Sequence, residues 1–419
     1  MSTVSPLIVS PLHSDLLPNG IQVLSEEIPG VRSVTVGVWV RQGAAHEQGQ
    51  ALGASHLLEH MVFKGTERRT AHDIALSLEG LGGSLDAYTS REHTSFQARV
   101  LDEHLSEALD VLADLTLAPL LRPEDLDLER EVVLEEIATV EDTPDDLVFE
   151  LHGERLWSGH PYAHSILGTR ATVAGMPIAT LGRIHRDRYV GANLVIAAAG
   201  NVQHGTFLEG VERLFGGVPA GARTDRIPAL PPPRSGEQRV GRGGAQSHLV
   251  FGDQVPGHAD PRRFALVLLS SALGGGMSSR LFQRVREELA LAYTVYTFQS
   301  FYALGGLSGV YVGTRPSWEE RAVEAVRAEL ARVAREGLPH DELEQTKRQV
   351  KGQIMLSLES TGARLYRLVA FALYQEPYLD LDDLLRKIDE VSDEEVAAVA
   401  AEFFDPDRQL LVRLGPEGE

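Results

Sequence analysis

Hydrophobic and polar positions follow two different periods along the chain, and these periods predict strands and helices. Ser33–Val40 places apolar side chains at every second position, which is typical of a strand. Residues 71–81 and 107–117 repeat their apolar side chains every three to four positions, which predicts amphipathic helices. We therefore predict an α+β fold in which helices pack on one face of a mainly antiparallel sheet.

The same order of elements occurs twice, which indicates an internal duplication. Each copy contains a strand with the letters Ala-Tyr-Thr, a second strand, a helix and a closing apolar run. These elements occupy 86–89, 94–100, 102–117 and 193–199 in the first copy, and 291–294, 306–312, 318–333 and 409–414 in the second. We expect two similar domains.

The clearest change in composition lies at 226–244. Three successive prolines, Pro231 to Pro233, are followed by four glycines within the next 11 residues. Proline and glycine at this density do not sustain a helix or a central strand. We predict a linker at 223–244 between an N-terminal domain, 1–222, and a C-terminal domain, 245–419.

Charge and cysteine content exclude several classes of function. The formal net charge is −21, from 39 basic and 60 acidic residues, and such a surface repels nucleic acid and anionic lipid. There is no cysteine, so any transition metal would be held by imidazole and carboxylate groups. We find no signal peptide and no apolar run of about 18 residues, and expect a cytoplasmic protein without a membrane span.

The candidate chemistry is carried by the segment from Gly53 to Phe63. His56 and His60 are four residues apart, so on a helix they lie on one face and can share a metal ion. Glu59 projects near the same ion and occupies the place of a general base for a water activated by the metal. The order H-x-x-E-H is the inverted form of the zincin motif, but a surface helix with two solvated histidines would have the same letters.

A third ligand is needed, and a carboxylate is the expected partner of two imidazoles. The predicted helix Pro123–Asp142 offers several candidates, namely Glu129, Glu131, Glu135 and Glu136. Glu129 and Glu136 are seven residues apart and share a face with Val133 and Val140, whereas the other two face elsewhere. Spacing alone leaves the choice open.

Several segments together resemble the pitrilysin and insulinase family of zinc metallopeptidases, and within it the bacterial branch similar to mitochondrial processing peptidase. They span nearly the whole chain and read HLLEHMVFKGT, EREVVLEEI, SVTVGVWV, GGSLDAYTSREHTSF, HPYAHSILGT, NLVIAAAGNV, SSRLFQRVREELALAYTV and KGQIMLSLESTGAR. The resemblance implies one zinc ion per chain, with Glu136 as the third ligand. It also implies that Glu129 supports the site from outside the ligand set.

The family pattern also assigns residues beyond the metal. Arg286 and Tyr293, in the half that lacks the motif, match an arginine–tyrosine pair that this family places opposite the zinc, where both can stabilise an oxyanion. One run resembles the edge strand onto which the substrate is laid, namely Gly83, Ser84, Leu85, Asp86, Ala87 and Tyr88. The family often has asparagine at the position of Asp86 and glycine at the position of Ala290, so we expect the detailed contacts with the substrate to differ here.

These observations predict a zinc-dependent endopeptidase that hydrolyses extended peptides or unfolded segments inside a closed chamber. The resemblance implies two chains that close around the chamber, and because both half-sites are present we expect a homodimer with a shared active site. A heteromer with a related subunit is the other arrangement. The alternative function is a non-catalytic peptide-binding or scaffold subunit, but such relatives usually lose a ligand or the base, and this chain keeps all four residues.

Overall fold

A computed structural model describes residues 12–224 and 226–416 and contains two β-sheets, each with packed helices. The strands of the first sheet are β1 Leu12–Leu16, β2 Gln22–Glu27, β3 Ser33–Val40, β4 Ser84–Thr89, β5 Thr94–Leu101 and β6 Leu194–Gly200. Those of the second sheet are β7 Gly236–Gly241, β8 Ser247–Val255, β9 Ala292–Phe301, β10 Gly306–Thr314 and β11 Leu410–Gly415. The predicted α+β class is confirmed.

The helices account for most of the remaining described residues. In the first half they are α1 Ala54–Val62, α2 Ala71–Glu79, α3 Leu105–Leu117, α4 Pro123–Asp142, α5 Pro144–Leu156, α6 Arg170–Ala174, α7 Ile178–Arg188 and α8 His204–Phe215. In the second half they are α9 Arg263–Gly274, α10 Glu319–Glu336, α11 His340–Ser357, α12 Thr361–Tyr374, α13 Leu381–Asp389 and α14 Asp393–Phe403. A π-helical segment, Phe282–Glu288, precedes β9.

The two sheets share one topology, as expected of a duplication. The first sheet has the order β1-β2-β6-β3-β5-β4 and the second has the order β7-β11-β8-β10-β9. Without β1, the orders correspond strand by strand, and in each sheet one parallel pair is followed by three antiparallel pairs. The strands with the Ala-Tyr-Thr letters, β4 and β9, are the corresponding edge strands.

Helices cover both faces of the first sheet, whereas helices on one face only were predicted. The central strands β3 and β6 are buried almost throughout, so both of their faces need a cover. Trp39 and Val195 belong to a cluster with Leu365, Leu368 and Val369 of α12. Alternate residues of β3, such as Val36 and Val38, point to the opposite face because successive strand side chains alternate. Both valines are fully buried, and α3 packs against β3 and β5.

The chain divides into two compact units that are not contiguous in sequence. The first comprises 1–136, 165–227 and 357–380, and the second comprises 137–164, 228–356 and 381–419. Helix α12 thus packs on the sheet of the first unit, and α5 packs on β8 and β11 of the second. The predicted domain ranges, 1–222 and 245–419, assign α5 to the first domain and α12 to the second, so the two helices are exchanged in the structure. Periodicity predicts which face of a helix is apolar, but not which sheet packs against that face.

The segment predicted as a linker, 223–244, includes the strand β7. Gly236–Gly241 pairs in parallel with β11 and lies at the edge of the second sheet. An edge position needs few apolar side chains, which is why composition alone gave no strand signal. Among the described residues, no helix is both long and apolar enough to span a bilayer.

Candidate metal centre

The N-terminus of α1 is fixed by a buried carboxylate and a glycine. Glu47 accepts hydrogen bonds from the backbone N–H groups of Gly53 and Ser55, both at 2.6 Å. Burial raises the pKa of Glu47 to about 7, although the hydrogen bonds favour its charged form. Gly53 has a φ of +88°, and a Cβ there would lie 2.6 Å from the carbonyl oxygen of Leu167. This start sets the rotation of α1 and so the direction of its histidines.

The structure brings His56, His60 and Glu136 together. The two imidazole centroids are 4.7 Å apart on one face of α1. Glu136 of α4 places Oε2 3.7 Å from His56 Nε2 and Oε1 3.6 Å from His60 Nε2. Within the described chain these residues form a group whose ligand atoms lie within 4.8 Å of one another.

This donor set fits zinc. Tetrahedral zinc with ligands at about 2.1 Å separates its donor atoms by about 3.4 Å, close to the distances from Glu136 to the two rings. Glu136 Oε2 is buried and has no hydrogen-bond partner among the described residues. A buried polar atom without a partner is costly, and a cation between the three side chains would satisfy it.

The state of His56 also suits a ligand. Burial, together with the neighbouring His60 ring, lowers the pKa of His56 to about 4. Its imidazole is therefore neutral at pH 7 and keeps a lone pair for a metal.

Glu129 lies beside the ligands without joining them. Its Oε2 is 3.0 Å from His60 Nδ1, and its Oε1 is 2.5 Å from the ammonium of Lys64. The Glu129 side chain is only 8% exposed, whereas Glu131 and Glu135 are exposed. The four candidate glutamates thus have different environments, as their positions on α4 predict.

Glu59, on α1, is buried beside the end of β4. The hydroxyl of Thr89 donates a 2.6 Å hydrogen bond to Glu59 Oε2. Burial raises the pKa of Glu59, as does the nearby Glu136, whereas the Thr89 hydrogen bond and His60 oppose the rise. A carboxylate with a raised pKa near a metal locus is suited to accept and release a proton.

The predicted substrate strand corresponds to β4, which pairs with β5 and forms an edge of the first sheet. Asp86 is exposed, and the Tyr88 hydroxyl is 3.0 Å from His93 Nε2. The ring of Tyr88 also lies 6.0 Å from that of Tyr366 on α12. Since side chains alternate along a strand, Tyr88 points away from the face on which Thr89 meets Glu59.

Arg286 and Tyr293 lie in the second unit and contact each other. The guanidinium carbon of Arg286 is 4.8 Å from the centroid of the Tyr293 ring, a cation–π distance. Tyr293 is 78% exposed at the start of the edge strand β9. Between them, Ala290 has a φ of +49°, a conformation that favours glycine, which explains why glycine suits this position.

Three residues with contacts at the centre were not singled out from the sequence: Glu47, Lys64 and Thr89. Lys64 lies in the run HLLEHMVFKGT, and Thr89 ends the Ala-Tyr-Thr letters of the first copy. Their contacts reach Glu129 and Glu59 across the fold. No periodic pattern predicts such contacts.

Family models and curated relatives match most of the chain. Residues 22–170 match the family model described as insulinase, peptidase family M16, and residues 179–350 match that of the peptidase M16 inactive domain. An uncharacterized zinc protease of Streptomyces coelicolor is 39% identical, covering 96% of this chain and 88% of the relative. One from Bacillus subtilis is 37% identical, covering 96% and 97%.

Two solved structures share the fold. The peptidase M16 inactive domain from Pseudomonas fluorescens superposes with a TM-score of 0.91 at 23% identity, covering 97% of this chain and 98% of that one. A protease from Helicobacter pylori gives 0.89 at 20% identity, covering 97% and 100%. With relatives this similar over almost its whole length, the chain belongs to the insulinase family of zinc peptidases, M16.

Proposed function

We propose that the protein is a zinc-dependent endopeptidase that holds one zinc ion per chain through His56, His60 and Glu136. The observation that carries the proposal is the convergence of two imidazole nitrogens and one carboxylate from distant helices, with a buried carboxylate oxygen left unpaired. Three protein ligands leave a fourth position open, which is typical of catalytic zinc sites.

Glu59 would act as the general base and then as the general acid. It takes a proton from the attacking water and passes it to the leaving amine, and its raised pKa makes both transfers feasible. Thr89 holds one carboxylate oxygen through its hydrogen bond, and the other oxygen would accept the proton. Zinc bound at this site would supply Lewis-acid polarisation of the scissile carbonyl and lower the pKa of water.

Arg286 and Tyr293 would stabilise the oxyanion. Their guanidinium and phenol groups are hydrogen-bond donors, and their stacking holds the two side chains in one arrangement. We propose a homodimer that closes around a chamber, in which the zinc of one chain faces the arginine and tyrosine of its partner.

The substrate would be an extended peptide or unfolded segment. An edge strand presents unpaired backbone groups, so β4 can take a peptide as an added strand through Gly83 to Tyr88. Backbone pairing reads extended conformation with little dependence on sequence. The net charge of −21 favours basic segments over acidic ones.

The first test combines metal content with activity. Purified protein is expected to contain zinc by mass spectrometry and to cleave a mixed peptide library, with loss of cleavage in chelator and recovery on adding zinc. Glu59→Gln should retain zinc and lose about 10²- to 10⁴-fold in kcat, as expected for a general base. Glu131→Gln is the matched control, because it changes an exposed glutamate of α4. Unchanged cleavage by Glu59→Gln would refute the role of Glu59 as the base. Zinc-loaded wild type that cleaves no peptide would favour the non-catalytic, peptide-binding subunit.

The second test addresses the shared site. Glu59→Gln and Tyr293→Phe proteins are mixed under conditions of verified subunit exchange. If the halves act in trans, part of the activity returns, because one site of each mixed dimer carries both intact groups. Absence of any recovery after verified exchange would refute the shared homodimer.

A further inference from the structure

The side chain of Lys64 contacts Glu129, which in turn contacts the candidate metal ligand His60. Its ammonium lies 2.5 Å from Glu129 Oε1, while Glu129 Oε2 lies 3.0 Å from His60 Nδ1. Each oxygen of one carboxylate therefore has one partner. The three side chains form a chain of contacts that leads from the protein surface to a ligand.

The backbone of Lys64 is fastened to the helix that carries Glu129. Arg122, just before α4, donates a 3.0 Å hydrogen bond to the carbonyl oxygen of Lys64 and a 2.6 Å bond to Asp125. Lys64 is thus tied to α4 by its main chain and by its ammonium. Such a double attachment limits the positions that Glu129 can adopt.

The contact has a direct consequence for His60. When His60 Nδ1–H donates to Glu129, the lone pair of Nε2 is left facing Glu136, which is 3.6 Å away. The other histidine differs, because Nδ1 of His56 is buried without a hydrogen-bond partner among the described residues. Among the described residues, a hydrogen bond at Nδ1 therefore orients the ring of His60 but not the ring of His56.

The negative charge around the two histidine rings also requires a positively charged partner. Glu59, Glu129 and Glu136 bring three carboxylates close to the two rings. Among the salt bridges that the described residues make to these glutamates, that of Lys64 alone comes from a lysine or arginine side chain. A largely buried carboxylate such as Glu129 requires a partner of this kind, because an uncompensated buried charge is costly.

We propose that Lys64 is a positioning residue for the metal ligand His60, acting through Glu129. The ammonium fixes Glu129 so that its second oxygen holds His60 in the tautomer and orientation that present Nε2 to zinc. This inference rests on the proposed zinc site. It differs from an ordinary surface ion pair, which would affect stability slightly and metal binding not at all.

The experiment measures zinc affinity of the full-length protein by competition with a chelating indicator. Lys64→Met is expected to weaken zinc binding about tenfold, since changes in groups that orient metal ligands typically cost 10- to 100-fold. Lys64→Arg should recover most of the affinity, because a guanidinium also pairs with a carboxylate. Lys351→Met is the matched control, since Lys351 makes a 2.5 Å contact with Asp389 and contacts no metal ligand.

A double-mutant cycle decides whether Lys64 acts through Glu129. The variant with both Lys64→Met and Glu129→Gln is expected to bind zinc no more weakly than Glu129→Gln alone. Additive losses would overturn the proposal, as would wild-type affinity in Lys64→Met. Circular dichroism of the metal-free variants establishes folding, and Lys64→Gln replaces Lys64→Met if the latter does not fold.

Wild-type protein and His60→Ala separate this inference from the proposed function. If the wild type does not bind zinc, or if His60→Ala binds as tightly, the zinc site and the role of Lys64 both fall. If His60→Ala binds zinc more weakly than the wild type while Lys64→Met binds zinc as tightly as the wild type, only the role of Lys64 is refuted.

Discussion

The buried imidazole of His152 should make the stability of the protein depend on pH. His152 is fully buried on α5, and its Nε2–H donates a 3.0 Å hydrogen bond to the carbonyl oxygen of Leu410. Its Nδ1 is buried without a hydrogen-bond partner among the described residues, and burial lowers the pKa of His152 from 6.5 to about 4. We examine the variant His152→Gln, whose amide can donate the same bond and carries no charge.

The sign and the size of this pH dependence follow from the linkage between protonation and folding. Between pH 6.5 and pH 4 the unfolded chain protonates this histidine and the folded chain does not, so the free energy of unfolding falls as the pH falls. The contribution is fully present above pH 6.5 and lost near pH 4. The difference between a pKa of 6.5 and one of about 4 corresponds to about 3.5 kcal/mol in full, at about 1.4 kcal/mol per pKa unit. About 3 kcal/mol of this is lost by pH 4, where the folded histidine is half protonated.

The assay is denaturant unfolding at a series of pH values from 7.5 to 4, in chelator so that metal release does not contribute. The difference in unfolding free energy between wild type and His152→Gln should shrink by about 3 kcal/mol across this range. His340→Gln is the control, because His340 is exposed and its change should stay within about 0.5 kcal/mol. A difference between wild type and His152→Gln that is constant with pH would refute the reasoning.

Two further predictions concern the metal centre. Thr89→Val removes the hydrogen bond that lowers the pKa of Glu59, so the acid limb of kcat/KM should move to higher pH. Thr94→Val, which removes a neighbouring buried hydroxyl, should leave the limb in place, and an unmoved limb in both variants would contradict the base role. Gly53→Ala should lower the unfolding free energy by about 2 kcal/mol or more, because φ is +88° and a Cβ would meet a carbonyl oxygen at 2.6 Å. Gly30 has the same φ, but a Cβ there would have no neighbour within 4 Å. Gly30→Ala should therefore lower the unfolding free energy by less, as measured by denaturant unfolding, and equal losses in the two variants would show that the contact is unimportant.

Local patterns in the sequence determined the elements that carry the chemistry. The bounds of β3 and α4 agree with their predicted ranges, because alternation and helical spacing are properties of a few neighbouring residues. The four-residue spacing of His56 and His60 placed both rings on one face of α1 for the same reason. The repeated letters and strands also indicated two sheets of similar topology.

The tertiary structure decided what distant residues do together. Spacing left open which of the candidate glutamates of α4 is the third ligand, and only the packing of α4 beside α1 brings Glu136 to both rings. The partners Lys64 and Thr89, and the exchange of α5 and α12 between the units, likewise depend on long-range packing. Periodicity specifies which side of an element is apolar, whereas the element that covers it is chosen by the shape and energy of the whole fold.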